Sequence, residues 1–332
     1  MKNSVCIVGA GSMGIFTGYS LQLAGAEITF LVRPGRLEKL SEPQKLYSYD
    51  DQSVKIFSGY DIITDPSMLS GKAYRFIIIT LDGASLLTED GKKLVDEIGK
   101  NFKNTSTGIV IGSIGVENKK WFIERSGLNE DQVINGALGS LIYESFAVTL
   151  PTNPEIDALA LANTDYGYRH YSPIGFIIDN SSEKVAQEFA ELYDQNGISK
   201  VGIIPVSATR LFPATMAILA AWELLDWPAT DKIDPYGEIW QLGTEASKEF
   251  QRLQMFGQAG IDASKETSAE GLLEGFRKME KDTWPLDLAE FNRYHHGKKV
   301  NFQDHEILKK GLAMGQAEGL SMPALASLVE RL

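Results

Sequence analysis

Gly9-Ala10-Gly11-Ser12-Met13-Gly14 lies between a β-type run, Ser4-Val5-Cys6-Ile7-Val8, and an apolar helix-like segment from Ile15 to Ala24. In that strand–turn–helix setting, G-x-G-x-x-G is the fingerprint of a dinucleotide site. The first glycine permits the tight turn, the second lets backbone approach a pyrophosphate, and the third lets helix and strand pack closely. Unpaired amides at the helix start then face the phosphates, aided by the helix dipole. The stretch therefore predicts a Rossmann domain and a cofactor held by Gly9, Ala10, Gly11, Ser12, Met13 and Gly14.

Working outward, Gly25 ends the first helix and a second strand runs Glu27-Ile28-Thr29-Phe30-Leu31-Val32. NAD enzymes usually close this strand with an acid that accepts from the ribose 2′-hydroxyl. Here it closes on Arg33, then Pro34-Gly35-Arg36, with no acid before Glu38. Arg33 and Arg36 present planar, permanently charged donor forks that suit a 2′-phosphate, unless they are simply solvated surface arginines. NADP(H) is the expected cofactor.

Strand and helix signals alternate over the first two hundred residues. Short β-like pieces such as Val54-Lys55-Ile56-Phe57 occupy a polar region around residues 41–70. Phe76-Ile77-Ile78-Ile79-Thr80 is the continuous apolar run of a strand buried on both faces. A helix from Ala84 to Lys100 and a strand Gly108-Ile109-Val110-Ile111 follow, the latter ending in Gly112-Ser113-Ile114-Gly115. Further strands are predicted near 134–149, 157–162 and 175–179, a helix at 183–195 and a strand at 200–204. This alternation predicts a doubly wound α/β sheet. Residues Leu81, Asp82, Gly112 and Ser113, in loops at the strand ends, are expected to line the cofactor crevice or to serve only as turns.

From Pro205 the pattern is helical only. Helices are predicted at Ser207–Leu225, with Pro213 implying a kink or late start, then at 238–258, 268–281, 288–296 and 302–318. A last helix begins near Pro323. Gly311, Gly315 and Gly319, four residues apart, allow close helix contact. The expected organisation is a Rossmann domain over 1–204 and an all-α domain over 205–332, with substrate in the cleft between them.

Composition sets outer bounds. The 332 residues are 43% hydrophobic and 23% charged, an ordinary globular balance. A net charge of −12 argues against nucleic acid and anionic membrane as partners. The longest helical apolar run, Phe212 to Trp222, is about half of a membrane span. Cys6, the single cysteine, excludes an intramolecular disulfide and reads as a small buried hydrophobe. The four histidines show no zinc-like spacing, so no metal site is expected. A cytoplasmic protein acting on a small molecule is expected, and the apolar helical domain makes a homodimer plausible.

Near the C-terminus the chain reads Glu290-Phe291-Asn292-Arg293-Tyr294-His295-His296-Gly297, then Gly319-Leu320-Ser321-Met322-Pro323-Ala324-Leu325. Together with the N-terminal fingerprint, Arg33, the GSIG turn and the helical half, these segments resemble the ketopantoate reductase (2-dehydropantoate 2-reductase) family over nearly the whole length. The resemblance implies NADPH-dependent reduction of a 2-oxo acid or related ketone. It also shows departures. Arg210 falls where the family has a lysine, and Ala214 and Ile218 stand at its two asparagine positions. Ser113 replaces the asparagine of the family's N-G turn, Asp82 its lysine after the fourth strand, and the Glu290–Gly297 segment is one residue longer.

Ketone reduction needs a hydride donor, donors aimed at the developing alkoxide, and a proton source. Arg210 can hold a carboxylate or stabilise the alkoxide, or form an interdomain salt bridge. Glu290 can orient a substrate hydroxyl or the nicotinamide ribose, or be an exposed helix charge. His295 and His296 are the natural replacement acids, or last-turn histidines before Gly297 as a helix-ending C′ residue. An opine-type dehydrogenase reducing an imine, and an NADP(H)-binding sensor without catalysis, are the competing functions.

Overall fold

The computed structural model describes residues 3–151 and 153–332. The chain forms two compact units, the first reaching Thr149 and resuming from Pro154 to Val206, the second comprising Leu150–Asn153 and Ser207–Leu332.

In the first unit, strands β1 (Ser4–Val8), β2 (Glu27–Leu31), β3 (Gln44–Ser48), β4 (Ser53–Phe57), β5 (Asp61–Ile63), β6 (Phe76–Ile79), β7 (Gly108–Ile111), β8 (Val133–Leu138), β9 (Ser140–Glu144), β10 (Tyr166–His170), β11 (Ile174–Asp179) and β12 (Lys200–Ile204) build two sheets. The larger has the order β12-β11-β8-β7-β6-β1-β2-β5. All its pairings are parallel except β8 with β11. Side chains alternate across each central strand, and both faces are buried. Phe76 and Ile78 join a core with Phe16 and Tyr19 of the first helix, α1 (Ser12–Leu23), and with Phe189. Ile77 and Ile79 point the other way, against Leu94, Ile98 and Phe122. Cys6 is fully buried among them, and burial pushes its thiol up to about 12.

The register brings the functional loops to one edge. Val8 lies beside Ile79, Ile79 beside Ile111, and Ile111 beside Asn135. The loops that begin at Gly9, Thr80 and Gly112 therefore emerge side by side. Because β1 sits between β2 and β6, this edge is the topological switch point, where open α/β sheets bind ligands.

Several expectations are corrected. Residues 157–162 are not a strand: Ala158–Ala162 is a helix, started by Asp157, whose carboxylate accepts from the Ala160 N–H at 2.9 Å. The helix expected from Ala84 to Lys100 is two, Gly83–Leu87 and Glu89–Phe102, broken where Thr88 caps the second. A second sheet, β4-β3-β10-β9, was not foreseen as such.

The second unit is helical throughout its described residues beyond 206. Pro213 falls in a 3-10 turn, Phe212–Thr215, that separates Val206–Arg210 from Met216–Leu224. The expected 238–258 helix stops at Gln251, and a separate helix, Gly257–Glu266, follows after a turn in which Gly257 has φ of +56°. Helices Ala269–Thr283, Leu288–Tyr294, Asn301–Ala317 and Pro323–Glu330 complete it. The amides of Ala324 and Leu325, at the start of the last helix, donate to the buried carboxylate of Glu249. Gly311 allows the close contact expected of it, since a Cβ there would come within 2.1 Å of the Phe250 ring. Gly297 does not end a helix. It lies inside a single π-helical turn, His295–Lys299, closed by the Val300 N–H donating to the His295 carbonyl at 2.9 Å. Among the described residues no helix is long and apolar enough to cross a membrane.

Candidate functional site

The three fingerprint glycines do different work. Gly9 has φ of +100° and donates its N–H to the Leu31 carbonyl at 3.0 Å. A Cβ on it would sit 2.7 Å from Thr80 Oγ1, and one on Gly14 only 2.2 Å from the Gly9 carbonyl oxygen. Both are required by the packing of the protein itself. Gly11 is the exception. Nothing lies within 4 Å of the point where its Cβ would be. It caps α1 without a side chain, and no acid occupies the first turn. The middle of the loop is thus an open cradle at a helix start whose first amides have no intrahelical partner. Ala10 and Ser12 are buried on either side. This arrangement fits a pyrophosphate.

Beyond β2, Arg33 is exposed and extended, and Pro34–Arg36 forms a 3-10 turn. Neither guanidinium makes an ion pair or side-chain hydrogen bond with a described residue. Two uncompensated donor forks where an acid would stand for NAD fit a 2′-phosphate.

In the loop after β6, Leu81 packs close to Gly9, and Asp82 caps the next helix, accepting from the Ser85 N–H at 2.7 Å and the Ser85 hydroxyl at 2.8 Å. After β7, Gly112 lets the Met13 side chain lie against the strand end, where a Cβ would be 2.4 Å from Met13 Cε. The Ser113 hydroxyl is sealed from solvent with no hydrogen-bond partner among the described residues. So is the Asn118 Nδ2 amide, a residue not singled out from the sequence. A Cβ at Gly115 would come within 2.2 Å of Asn118 Nδ2, and one at Gly83 within 2.8 Å. Asn118 therefore lies against both loops, the one that follows β6 and the one that follows β7. Two orphaned polar atoms beside the crevice are unusual in a native fold and mark a place where a ligand can satisfy them.

The second unit concentrates its polar chemistry around the π turn. Glu290 accepts from Arg293 Nε at 3.2 Å. Arg293 also donates to the Asp226 carboxylate and, at 2.6 Å, to the Asp226 carbonyl. Glu290 is thus held in an ion-pair network rather than left as a free helix charge. His295 stacks on Phe291 with ring centroids 5.4 Å apart and planes 13° apart. Burial, with His296 and Lys299 nearby, holds its imidazole well below the usual histidine range, so it is neutral. His296 Nδ1 lies 2.7 Å from Asp304 Oδ2. A further pair joins His305 Nε2 to Glu223 Oε2 at 2.9 Å, with Asn301 Nδ2 donating to Glu223 Oε1 at 2.7 Å. Asp226, Arg293, Glu223, Asn301, Asp304 and His305 were missed. Arg210, the last residue of its helix, is exposed and makes no ion pair with a described residue, so no salt bridge between domains engages it.

Residues 5–82 match the family model described as ketopantoate reductase PanE/ApbA. Among curated proteins none matches the chain significantly. Solved structures match over the whole length. The 2-dehydropantoate 2-reductase from Geobacter metallireducens GS-15 is 16% identical, with 99% of this chain and 98% of that chain covered and a TM-score of 0.64. The one from Methylococcus capsulatus is 15% identical, with 98% and 94% covered and a TM-score of 0.63. D-mandelate dehydrogenase, in its ternary structure with NADH and anilino(oxo)acetate, is 13% identical, with 99% and 96% covered and a TM-score of 0.67. The resemblance to the ketopantoate reductase family therefore holds in sequence over residues 5–82 and in fold over the whole chain.

Proposed function

We propose that the chain is an NADP(H)-dependent oxidoreductase that reduces a 2-oxo acid or a related ketone to the alcohol. The observation that carries this reading is the open cradle at Gly11, set at the switch point and flanked by the unpaired Arg33 and Arg36. Gly9 to Gly14 would hold the pyrophosphate and the two arginines the 2′-phosphate. Leu81, Gly112 and Ser113 would border the nicotinamide, which supplies a hydride when bound. The groups proposed to act on substrate are Arg210, Glu290, His295 and His296. Arg210 has its whole donor fork free for a carboxylate or a developing alkoxide. Glu290, immobilised by Arg293, is suited to orienting a hydroxyl, and the His295–His296 pair is the source of a proton.

The test is NADPH oxidation by the purified chain over a panel of 2-oxo acids and neutral ketones, with and without a primary amine. Turnover without amine supports the reading. Turnover only with amine would replace it with imine reduction, and nucleotide binding without any turnover would replace it with a sensor. Cofactor choice has its own check. Arg33→Ala is expected to weaken NADPH about tenfold, the cost of one charge-assisted contact, and NADH very little. Equal losses measured by fluorescence titration would remove Arg33 from the 2′-phosphate site.

A further inference from the structure

The cradle at the start of α1 is made of backbone, so what it can bind depends on which way its peptide planes face. We infer that the Thr80 hydroxyl sets that direction. By holding the Gly9 carbonyl inward, it turns the Ala10 N–H outward to receive the pyrophosphate of the dinucleotide. Thr80 acts here as a positioning residue, and the inference rests on the cofactor reading above and deepens it.

Thr80 is the first residue beyond β6. Because Val8 pairs with Ile79, it stands beside the start of the glycine loop. Its N–H donates to the Val8 carbonyl at 2.9 Å, which continues the sheet by one rung. Its hydroxyl lies 2.9 Å from the same carbonyl oxygen and 3.3 Å from that of Gly9. A hydroxyl has one proton, which rotates to suit its acceptors or is shared between them. The Val8 carbonyl already has the Thr80 amide. The Gly9 carbonyl has no other donor among the described residues, so the hydroxyl is what satisfies it.

The packing around this contact leaves it no slack. A Cβ on Gly9 would lie 2.7 Å from Thr80 Oγ1. One on Gly14 would lie 2.9 Å from that oxygen and 2.2 Å from the Gly9 carbonyl oxygen. The two glycines therefore clear the space in which hydroxyl and carbonyl meet. Gly9 could not hold the peptide by itself, since glycine moves freely among backbone conformations. A neighbouring side chain has to fix it.

A carbonyl fixed on one side fixes an amide on the other. The peptide between Gly9 and Ala10 is planar and trans, so its C=O and N–H point in opposite directions. With the Gly9 oxygen turned toward Thr80 and Gly14, the Ala10 N–H faces away from both. Ala10 is only 6% exposed, yet its amide makes no hydrogen bond with a described residue. Buried amides without a partner are rare in native folds. The next residue is Gly11, whose Cβ position meets no atom within 4 Å. An anion in that open space is the partner this amide lacks.

The test uses the full chain and two substitutions. Thr80→Val keeps the shape of the side chain and removes the donor, whereas Thr80→Ser keeps the donor. In fluorescence titrations Thr80→Val is expected to bind NADPH about tenfold more weakly, the cost of one lost hydrogen bond, and Thr80→Ser within about twofold of the parent. Adenosine 2′-phosphate carries the group meant for Arg33 and Arg36 but no pyrophosphate. By calorimetry it should bind the parent and both variants alike. In nitrogen–proton NMR spectra of the parent, which need no variant, the Ala10 amide should shift on adding NADPH and stay in place on adding adenosine 2′-phosphate. Parental NADPH affinity in Thr80→Val, an equal loss in Thr80→Ser, an equal loss toward adenosine 2′-phosphate, or an Ala10 amide unmoved by NADPH would each overturn the inference while the cofactor reading stands. A parent chain that binds neither NADPH nor NADH would overturn both.

Discussion

A Gly11→Val protein is expected to fold normally and to bind NADPH at least about a hundredfold more weakly, a loss of roughly 3 kcal/mol. The expectation comes from the contrast between this glycine and its neighbours. Gly11 has φ −78° and ψ −172°, extended backbone open to any residue, and its Cβ position meets no atom within 4 Å. Valine therefore introduces no clash at its point of attachment. Its branches instead fill the space through which a diphosphate would reach the first amides of α1. Gly14→Ala is the opposite case, since its Cβ would lie 2.2 Å from the Gly9 carbonyl oxygen and disrupt the loop itself. Fluorescence titration with NADPH, alongside thermal melts of both variants, separates the two effects. If Gly11→Val binds NADPH as the parent does, the loop is a structural turn and the cofactor reading fails.

This distinction between the glycines was legible in their order within the motif, where the first serves the turn, the second the open approach and the third close packing, and the space around Gly9, Gly11 and Gly14 agrees with it. Turn chemistry is local, so Gly9 to Gly14 and the strand before them are visible in six or ten consecutive residues. The same holds for Phe76–Ile79, Gly108–Ile111 and Lys200–Ile204, whose positions matched closely. The first two are apolar on both faces, as central parallel strands must be. Strand Tyr166–His170 escaped notice because Gly167, Arg169 and His170 break any simple apolar alternation, and its identity depends on pairing with β3 and β9. In the second unit the difficulty is distance along the chain. Arg293 and Asp226 are 67 residues apart, and His305 and Glu223 are 82 apart. No periodicity encodes such pairs, which arise only when helices pack. His296 and Asp304 are close in sequence, yet an uninterrupted helix would have kept them apart.

Arg210→Ala is expected to cut kcat/KM for a 2-oxo acid about a hundredfold, the usual cost of losing one charge-assisted, two-pronged carboxylate contact. The structure makes this substitution unusually clean. Arg210 is exposed and pairs with no described acid, so alanine breaks no contact within the folded chain, and the melting temperature should not move. Arg293 offers no such test, because removing it would leave Asp226 and Glu290 without their partner. NADPH affinity should also be unchanged, since no step of the pyrophosphate or 2′-phosphate contact involves Arg210. A neutral ketone of similar size provides the decisive control. If Arg210 grips the carboxylate, the variant loses activity toward the acid and keeps it toward the ketone. Equal losses on both would assign the guanidinium to the developing alkoxide instead. Arg210→Lys retains the charge without the planar fork, and should recover only part of the lost activity toward the acid. Should Arg210→Ala turn over both substrates at the parental rate, the residue is a bystander, and its position in place of the family's lysine reflects a site that no longer uses that helix.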